Sequence, residues 1–389
     1  MFVAGEPSGD HHAAAVVEAL GKRAFCFGLG GPAMAEAGLR LDLDLASRSV
    51  IGFVEVLKHF NYFRRAFALA EKLLREERPD LLLLVDYPGF NLRLAARAKA
   101  LGVPVAYYIS PQVWAWKKGR VPVMARLLRK MLVTFPFEKK IYDAAGLDCS
   151  QVGNPLLDAI PGALLWKGPG DPPAARQARL RRSLGWKAQG QVIGLLPGSR
   201  EQELRWLLPV MLEAAQKVAG PGRRFVVFKP ASAPKAWYAP VDAARAAGLG
   251  VTVFEGRSQA QAYAARAACE AALVASGTAT LETALLGVPF LILYRVHPVS
   301  YAIGKRLVKI HSIGLANVVA GRRVVPEFLQ EGLDPAAIAA ELERLCGDPK
   351  ARRAQRLGLA PGLRSLGKPG VARRVAAELV ALAKERRAA

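Results

Sequence analysis

The sequence predicts an α/β protein built from two doubly wound parallel-sheet domains with a cleft between them. Two observations lead to this fold class. Short apolar runs alternate with longer stretches of helical periodicity, which is typical of a parallel sheet covered by helices on both faces. The alternation stops between about residues 161 and 189 and then restarts, so the 389-residue chain divides into two halves of ordinary domain size.

The first half begins with a truncated strand at Phe2–Ala4, followed by a predicted helix over about residues 9–20. Its clearest strand is Leu81–Val85, a continuous apolar run of the kind that is buried on both faces of a parallel sheet. We expect further strands at residues 103–109 and 131–134, with helices at 92–101 and 121–129.

The second half follows a segment rich in glycine and proline, which we interpret as an interdomain linker with a helix over about residues 175–184. Its predicted strands are 192–196, 225–228, 251–254, 271–275 and 290–294. The tail from Asp334 has helical periodicity, with predicted interruptions near Gly362 and at 367–370. The predicted organisation is therefore an N-terminal domain at 1–160, a linker at 161–189, a C-terminal domain at 190–345 and C-terminal helices at 346–389.

The charge is strongly basic, with 55 Lys and Arg against 32 Asp and Glu, a formal net charge of +23. Such a surplus attracts polyanions such as nucleic acid, anionic lipid or phosphorylated substrates. The four cysteines form no CxxC pair, so the sequence predicts neither a zinc site nor a disulfide framework and suits a reducing cytoplasm. No apolar run reaches the roughly 20 residues of a spanning helix, and the start is too short for a signal peptide, so we expect membrane contact to be peripheral.

Two polar motifs follow predicted strands of the first half. Gly5-Glu6-Pro7-Ser8-Gly9-Asp10 offers a close backbone approach and a helix N-terminus to an anion or a sugar oxygen. The alternative is an ordinary turn in which Ser8 or Asp10 caps the helix. Asp86 ends the Leu-rich strand and has the chemistry of a general base on a hydroxyl. It could equally cap the next helix, as could Asn91.

Two further motifs follow strands of the second half. In Gly198-Ser199-Arg200 the arginine could neutralise a diphosphate, although Ser199 and Gln202 also fit a capping box. The segment Ser276-Gly277-Thr278 resembles glycine-containing phosphate loops at helix N-termini. Glu282, one turn into that helix, could accept hydrogen bonds from two ribose hydroxyls, or simply complement the helix dipole.

A segment at 110–120 combines Ser110, Trp114 and Trp116 with several cationic residues, which suits a membrane interface or stacking on a sugar or base. Either tryptophan taken singly is more typical of a core residue. Metal-ligand spacing is absent: His11-His12 and His297 have no partners and no HExxH occurs. We therefore predict no metal.

Together these motifs resemble one family, the lipid-A-disaccharide synthases. The resemblance is carried over about residues 3–332 by GEPSGD, IGFVEVL, DYPGFN, YYISPQVWAW, PFEKKIYDAAG, VGNPLLD, LLPGSR, ASGTATLE, YRVHPVSY and NVVAGRRVVPEFLQ. It implies a GT-B fold with two Rossmann-like halves and final helices that cross back to the first. It also implies an inverting enzyme without metal or cofactor, peripheral on the inner face of the cell membrane.

The implied reaction joins UDP-2,3-diacylglucosamine to 2,3-diacylglucosamine 1-phosphate, giving lipid A disaccharide 1-phosphate and UDP. By position, Asp86 matches the candidate base, although Gly89 stands where the family usually has a second Asp. The residues matched to the donor side are Gly198, Ser199, Arg200, Ser276, Gly277, Thr278, Glu282, Asn317 and Arg322. Those predicted on the acceptor side are Glu6, Ser8, Gly9, Asp10, Asn91, Ser110 and Trp114.

Two other functions stay open at this point. One is a different GT-B enzyme that uses UDP-N-acetylglucosamine, either a lipid II-forming transferase or a 2-epimerase. The other is nucleic-acid binding, which the charge alone suggests, but the sequence has no helix-turn-helix, zinc-finger or RRM signature. The expected partners are therefore a UDP-sugar, an acylated glucosamine phosphate and an anionic membrane surface, without nucleic acid. A homodimer is an open alternative to a monomer.

Overall fold

A computed structural model describes residues 1–47, 60–115, 119–168, 173–231, 233–296, 301 and 312–388, to which all structural statements below refer. Contacts between residues divide the chain into two compact units. The first unit is Met1–Asp158 together with Leu366–Ala389, and the second is Ala159–Ser365. Several parts of the sequence motifs lie outside the described residues: IGFVEVL at 51–57, Trp116 to Lys118, and residues 297–300 of YRVHPVSY, which include His297.

The first unit contains a seven-stranded sheet in the order β3-β2-β1-β4-β5-β6-β7, in which every neighbouring pair is parallel. This is the doubly wound order in which the chain leaves the first strand in one direction and the fourth in the other. The strands are β1 (Phe2–Ala4), β2 (Phe27–Gly30), β3 (Arg40–Asp44), β4 (Leu82–Val85), β5 (Val105–Tyr108), β6 (Lys130–Val133) and β7 (Cys149–Gln151).

Several helices of the first unit begin with proline, which fixes φ in the helical range and lacks the N–H that the first helical position leaves unpaired. Pro7, Pro32, Pro88 and Pro136 all occupy this position. The helices are α1 (Pro7–Leu20), α2 (Pro32–Glu36), α3 (Phe60–Glu76), α4 (Pro88–Ala100), α5 (Arg120–Leu127), α6 (Pro136–Asp143) and α7 (Leu156–Ala159), the last of which reaches the unit boundary.

The second unit contains a six-stranded parallel sheet in the order β10-β9-β8-β11-β12-β13, the same topology as in the first unit. Its strands are β8 (Gln191–Leu196), β9 (Arg223–Lys229), β10 (Val251–Glu255), β11 (Ala271–Ala275), β12 (Phe290–Tyr294) and β13 (Glu327–Leu329). Its helices are α8 (Pro173–Ser183), α9 (Glu201–Lys217), α10 (Ala239–Ala246), α11 (Gln259–Ala267), α12 (Thr278–Leu285), α13 (Leu315–Ala320), α14 (Pro335–Gly347) and α15 (Pro349–Ser365). The final helix, α16 (Val371–Ala388), packs against α1 in the first unit.

The predicted linker at 161–189 lies within the second unit instead of forming a separate segment. Its helix α8 is hydrogen bonded to that unit, because the buried Arg181 donates from Nε to the carbonyl of Ala268 at 3.0 Å and from Nη1 to that of Gly190 at 2.7 Å. Trp166 packs so closely on Gly287 that a Cβ there would lie 2.7 Å from its ring.

The return to the first unit begins at Leu366, later than the predicted boundary at 346, because α14 and α15 pack on the second sheet. Gln355 in α15 illustrates this: it accepts from the Phe290 N–H at 2.8 Å and donates to the Phe290 carbonyl at 2.9 Å. The predicted interruption near Gly362 is wrong. Gly362 lies inside α15, where the carbonyl oxygen of Val319 would be 2.6 Å from a Cβ, so glycine permits two helices to approach closely.

Candidate active site

The β1 and β4 strands end side by side in the first sheet, at the point where the chain direction switches. In doubly wound sheets, ligands bind beyond the carboxyl ends of the strands at this point. Gly5 and Glu6 follow β1, and Asp86 and Tyr87 follow β4. The two loops touch: a Cβ on Gly5 would lie 2.3 Å from the ring of Tyr87, so only glycine permits this approach.

Asp86 and Tyr87 both adopt left-handed backbone conformations, with φ of 47° and 49°. Non-glycine residues rarely do so, and each costs on the order of 1 kcal/mol or more. The surrounding structure holds the strained turn. The Asp86 N–H donates to the carbonyl of Tyr108 at 3.1 Å, and its own carbonyl accepts from Asn91 Nδ2 at 2.7 Å and from the Tyr107 hydroxyl. The buried Asn91 therefore positions this turn through the backbone of Asp86 and not through its carboxylate.

The environment of Asp86 raises the pKa of its carboxyl group to about 6. Burial is the main cause, the charge of Glu6 adds to it, and the backbone N–H of Tyr87 opposes it. Glu6 precedes α1, and its side chain makes no capping hydrogen bond to that helix. A carboxylate with a pKa near 6 is ionised at neutral pH and is a stronger base than an ordinary aspartate.

The rest of the Gly5–Asp10 motif divides into exposed and structural residues. Ser8 is exposed in the first turn of α1, whereas Gly9 and Asp10 are buried. The Asp10 carboxylate accepts from the N–H groups of Gly31, Ala33 and Met34 at 2.8, 3.0 and 3.1 Å, so it caps α2. The alternative in which Ser8 or Asp10 caps α1 is wrong, because Pro7 starts that helix one residue before Ser8.

A buried polar cluster lies beyond the neighbouring strands β5 and β6. Ser110 Oγ is 2.5 Å from the hydroxyl of Tyr142, and the ring of Trp114 meets that of Phe137 edge-on at 5.4 Å. Near them is Glu138, which is 1% exposed and accepts from the N–H of Phe135 at 3.1 Å. Burial raises the Glu138 pKa to about 8, against the opposing backbone N–H groups of residues 135 and 134. The sequence motifs did not point to Glu138. Its position as the third residue of a helix that begins with proline is typical of a capping-box glutamate, and this pattern could have identified it.

The second sheet has its own switch point, where β8 and β11 end side by side. Gly198 follows β8 with φ of 111°, and a Cβ there would lie 2.2 Å from Glu203 Oε2. That oxygen accepts from the N–H groups of Ser199 at 3.0 Å and Arg200 at 3.4 Å. The capping residue of α9 is therefore Arg200 with Glu203 as its partner, and the predicted Ser199–Gln202 capping box is wrong. The Arg200 side chain is 60% exposed and can meet an anion.

The loop after β11 leads directly into α12. Gly277 precedes the helix with φ of 150°, and no atom lies within 4 Å of a Cβ built on it. Ser276 Oγ donates to the carbonyl of Ile313 at 3.1 Å, and Thr278 is exposed at the first helical position. Open space in front of free helix N–H groups is the arrangement that binds phosphate oxygens.

Glu282 lies in α12 and is 16% exposed at its side chain. Its carboxylate accepts from the Tyr263 hydroxyl at 3.0 Å and from Arg266 Nη1 at 2.6 Å. Both donors belong to α11, so a neighbouring helix fixes the direction of this carboxylate.

Asn317 is 1% exposed and uses its whole amide within the protein. Its Nδ2 donates to the Val325 carbonyl at 2.8 Å and to Glu327 Oε1 at 2.9 Å, while Oδ1 accepts from the N–H groups of Val324 and Val325, both at 2.9 Å. Asn317 therefore shapes the loop that carries the exposed Arg322 and offers no free group of its own.

The comparisons with known proteins agree with this geometry. A family model described as lipid-A-disaccharide synthetase matches residues 1–360. The lipid-A-disaccharide synthase of Geobacter sulfurreducens is 43% identical over 381 residues, which cover 97% of this chain and 95% of that relative. The one from Anaeromyxobacter dehalogenans is 41% identical over 385 residues, covering 98% and 96%.

The chain belongs to the lipid-A-disaccharide synthase family. The resemblance drawn from the motifs is thus confirmed, and the protein is a glycosyltransferase of lipid A biosynthesis. Neither the 2-epimerase nor the lipid II-forming alternative is favoured.

Solved structures are similar in fold at low sequence identity. A UDP-N-acetylglucosamine 2-epimerase described as putative, from Listeria monocytogenes, matches with a TM-score of 0.64 at 15% identity, covering 99% of this chain and 96% of that one. The calicheamicin glycosyltransferase CalG4 matches with a TM-score of 0.57 at 16% identity, covering 98% and 96%. Together with the two parallel sheets, these matches confirm the predicted GT-B fold of the synthase family.

The family match includes every residue that the sequence motifs assign to the site.

Within the described ranges, no helix is both long and apolar enough to cross a bilayer. Over the same ranges, no three His, Cys, Asp or Glu side chains come together as a set of metal ligands.

Proposed function

We propose that Asp86 is the general base of an inverting transfer from UDP-2,3-diacylglucosamine to 2,3-diacylglucosamine 1-phosphate. In this step Asp86 removes the proton from the acceptor 6-hydroxyl while that oxygen bonds to C1 of the donor sugar. The bond from C1 to the diphosphate oxygen breaks, and UDP leaves with the electron pair. The observation that carries the proposal is the strained, half-buried turn in which the Asp86 carboxylate has only the backbone N–H of Tyr87 as a hydrogen-bond donor among the described residues and has its pKa raised to about 6.

In the second unit, the proposal assigns the nucleotide to the two loops at the β8–β11 switch point. Arg200 would meet the diphosphate, because its fork of donors matches phosphate oxygens and its head is exposed. Ser276, Gly277 and Thr278 would add the N-terminus of α12, and Glu282 would accept from the ribose. Arg322 is a further exposed cation for the donor. Positive charge at the leaving UDP stabilises the transition state.

In the first unit, the proposal assigns the acceptor to Glu6, Ser8, Ser110 and Trp114. Gly9, Asp10 and Asn91 support this site through packing and hydrogen bonds without touching the substrate. The net charge of +23 suits both the acceptor phosphate and an anionic membrane, so we place the protein peripherally on the inner face of the cell membrane. Cosedimentation with anionic vesicles, lost at high salt and absent with zwitterionic vesicles, is the expected behaviour.

The deciding experiment measures UDP release by the purified protein with each substrate alone and with both together. We expect release only when both acylated sugars are present, and thermal stabilisation by UDP alone, since a ligand of the folded state raises its stability. Efficient turnover of UDP-N-acetylglucosamine without an acylated acceptor would overturn the proposal in favour of an epimerase-like activity. Absence of any UDP effect on stability would remove the donor assignment.

A further inference from the structure

The carboxylate of Glu282 is oriented by two side chains from α11, one on each oxygen. The Tyr263 hydroxyl donates to Oε1 at 3.0 Å, and Arg266 Nη1 donates to Oε2 at 2.6 Å. Neither Tyr263 nor Arg266 was singled out by sequence motifs. Their common spacing of three residues puts both on one face of α11.

Both donors are themselves immobilised. Tyr263 is 2% exposed, and its hydroxyl also accepts from Gln259 Nε2 at 3.4 Å. The Arg266 guanidinium lies 5.7 Å from the centre of the Tyr263 ring and 5.8 Å from that of Phe228. Both distances are within the roughly 6 Å over which a cation is attracted to a ring face. The orientation of Glu282 is therefore set by packed groups and not by solvent.

The remaining hydrogen-bonding capacity of this carboxylate is one lone pair on each oxygen, because an ionised carboxylate has about four acceptor positions. Two free acceptors on adjacent oxygens match two hydroxyls on adjacent carbons. The Glu282 side chain is 16% exposed, so an edge of the carboxylate is accessible to a ligand. A vicinal diol, as in ribose, satisfies both positions at once.

We propose that Tyr263 and Arg266 are positioning residues that aim Glu282 at the two hydroxyls of a ribose and so make the protein select a ribonucleotide over a deoxyribonucleotide. This inference rests on the proposed binding of UDP by the second unit. The inference assigns the selectivity to Glu282, Tyr263 and Arg266 acting together. If the Glu282 carboxylate were free to rotate, it would bind a single hydroxyl as well as a pair, and the 2′-hydroxyl would add little affinity.

The test compares the Kd of UDP with that of 2′-deoxy-UDP by titration calorimetry on the full chain. We expect the wild type to prefer UDP by about tenfold or more, the effect of one hydrogen bond to a charged group. Tyr263→Phe keeps the ring and removes only the hydroxyl. Arg266→Lys keeps the positive charge and removes the planar guanidinium group with its paired N–H donors. Each variant should weaken the binding of UDP and leave the Kd of 2′-deoxy-UDP nearly unchanged, so that the ratio of the two Kd values falls toward one. Glu282→Gln should abolish it.

Tyr238→Phe is the matched control. Tyr238 is also buried in the second unit, but its hydroxyl has no hydrogen-bond partner in the described structure, so its removal should leave the preference intact. Equal weakening of both nucleotides by Tyr263→Phe, or no change, would overturn the positioning role while UDP binding by the wild type still supports the proposed function. Failure of the wild type to bind UDP would instead overturn the proposed function, and this inference with it.

Discussion

The two switch points of the molecule share a topology and differ in what their loops carry. At β1–β4 the loop is strained, the backbone N–H and carbonyl of Asp86 are hydrogen bonded, and its half-buried carboxyl group has a raised pKa. At β8–β11 the loops contain Gly198 and Gly277, an exposed arginine and the open N-terminus of a helix. Partial burial and strain suit proton transfer, whereas an open helix N-terminus and exposed cations suit a phosphate ligand. We therefore expect the same sheet topology to support chemistry in the first unit and binding in the second.

Replacing the half-buried carboxylate of Asp86 should produce the largest effect and separate catalysis from UDP binding. Asp86→Asn keeps the size of the side chain and removes the base. We expect kcat to fall about 10³-fold, within the range for loss of a general base, while the Kd of UDP stays unchanged. Steady-state kinetics and calorimetry measure the two quantities. Asp143→Asn, at an exposed acid paired with Lys139 in the same unit, is the control and should leave both unchanged. Near-wild-type turnover of Asp86→Asn would show that the proton goes elsewhere.

Replacing Arg200 in the second unit should weaken UDP binding, which the Asp86 variant should leave unchanged. Arg200→Ala should weaken UDP by about 10- to 100-fold, the effect of a charge-assisted hydrogen bond, with little change in unfolding because the side chain is 60% exposed. Arg200→Lys should recover only part of this, since it keeps the charge without the bidentate fork. Calorimetry with UDP measures the loss, and Arg205→Ala, an exposed cation one turn farther along α9, serves as the control. A Kd unchanged in Arg200→Ala would place the diphosphate away from this loop.

The sequence predicted the central strands and the loops that follow them, because buried parallel strands are continuous apolar runs with a recognisable end. It missed four strands. Three of them, β3 (Arg40–Asp44), β7 (Cys149–Gln151) and β13 (Glu327–Leu329), lie at the edges of their sheets and lack an apolar run, and the fourth, β2 (Phe27–Gly30), alternates glycine with apolar residues. It also treated Asp10 and Asn317 as ligand-binding residues. Asp10 accepts from backbone N–H groups at the start of α2, and Asn317 bonds backbone groups at 324–325 and the Glu327 carboxylate. No local sequence pattern contains these contacts. The same holds for Tyr263 and Arg266.

The raised pKa of the buried Glu138 can be tested by the pH dependence of the free energy of unfolding. Its pKa is raised by burial from an ordinary 4.5 to about 8 in the folded state, so folding favours its protonated form. The contribution of protonated Glu138 to the free energy of unfolding is fully present below about pH 4.5 and is lost as pH rises through 8. Relative to Glu138→Gln, the wild type should lose about 1.4 kcal/mol of unfolding free energy per pH unit in this window.

Urea unfolding from pH 5 to 8.5 measures this difference. Glu76→Gln, at a side chain that is 62% exposed in α3, is the matched control and should follow the wild-type curve. Parallel curves for wild type and Glu138→Gln would mean that Glu138 is ionised in the folded protein, and that its hydrogen bonds outweigh its burial.

The smallest effect should come from Glu6, which modifies the base without replacing it. The charge of Glu6 is the second cause, after burial, of the raised pKa of Asp86. Glu6→Gln removes the repulsion between the two carboxylates, so the ionised form of Asp86 becomes easier to reach. The acid limb of kcat/KM should then move from near pH 6 to lower pH by less than one unit, while burial keeps it above the ordinary 3.8. The control Glu18→Gln, at an exposed acid on α1, the helix that Glu6 precedes, should leave the limb in place. A limb that moves upward would mean that Glu6 stabilises the ionised base through an intervening proton, which would make the pair and not Asp86 alone the titrating unit.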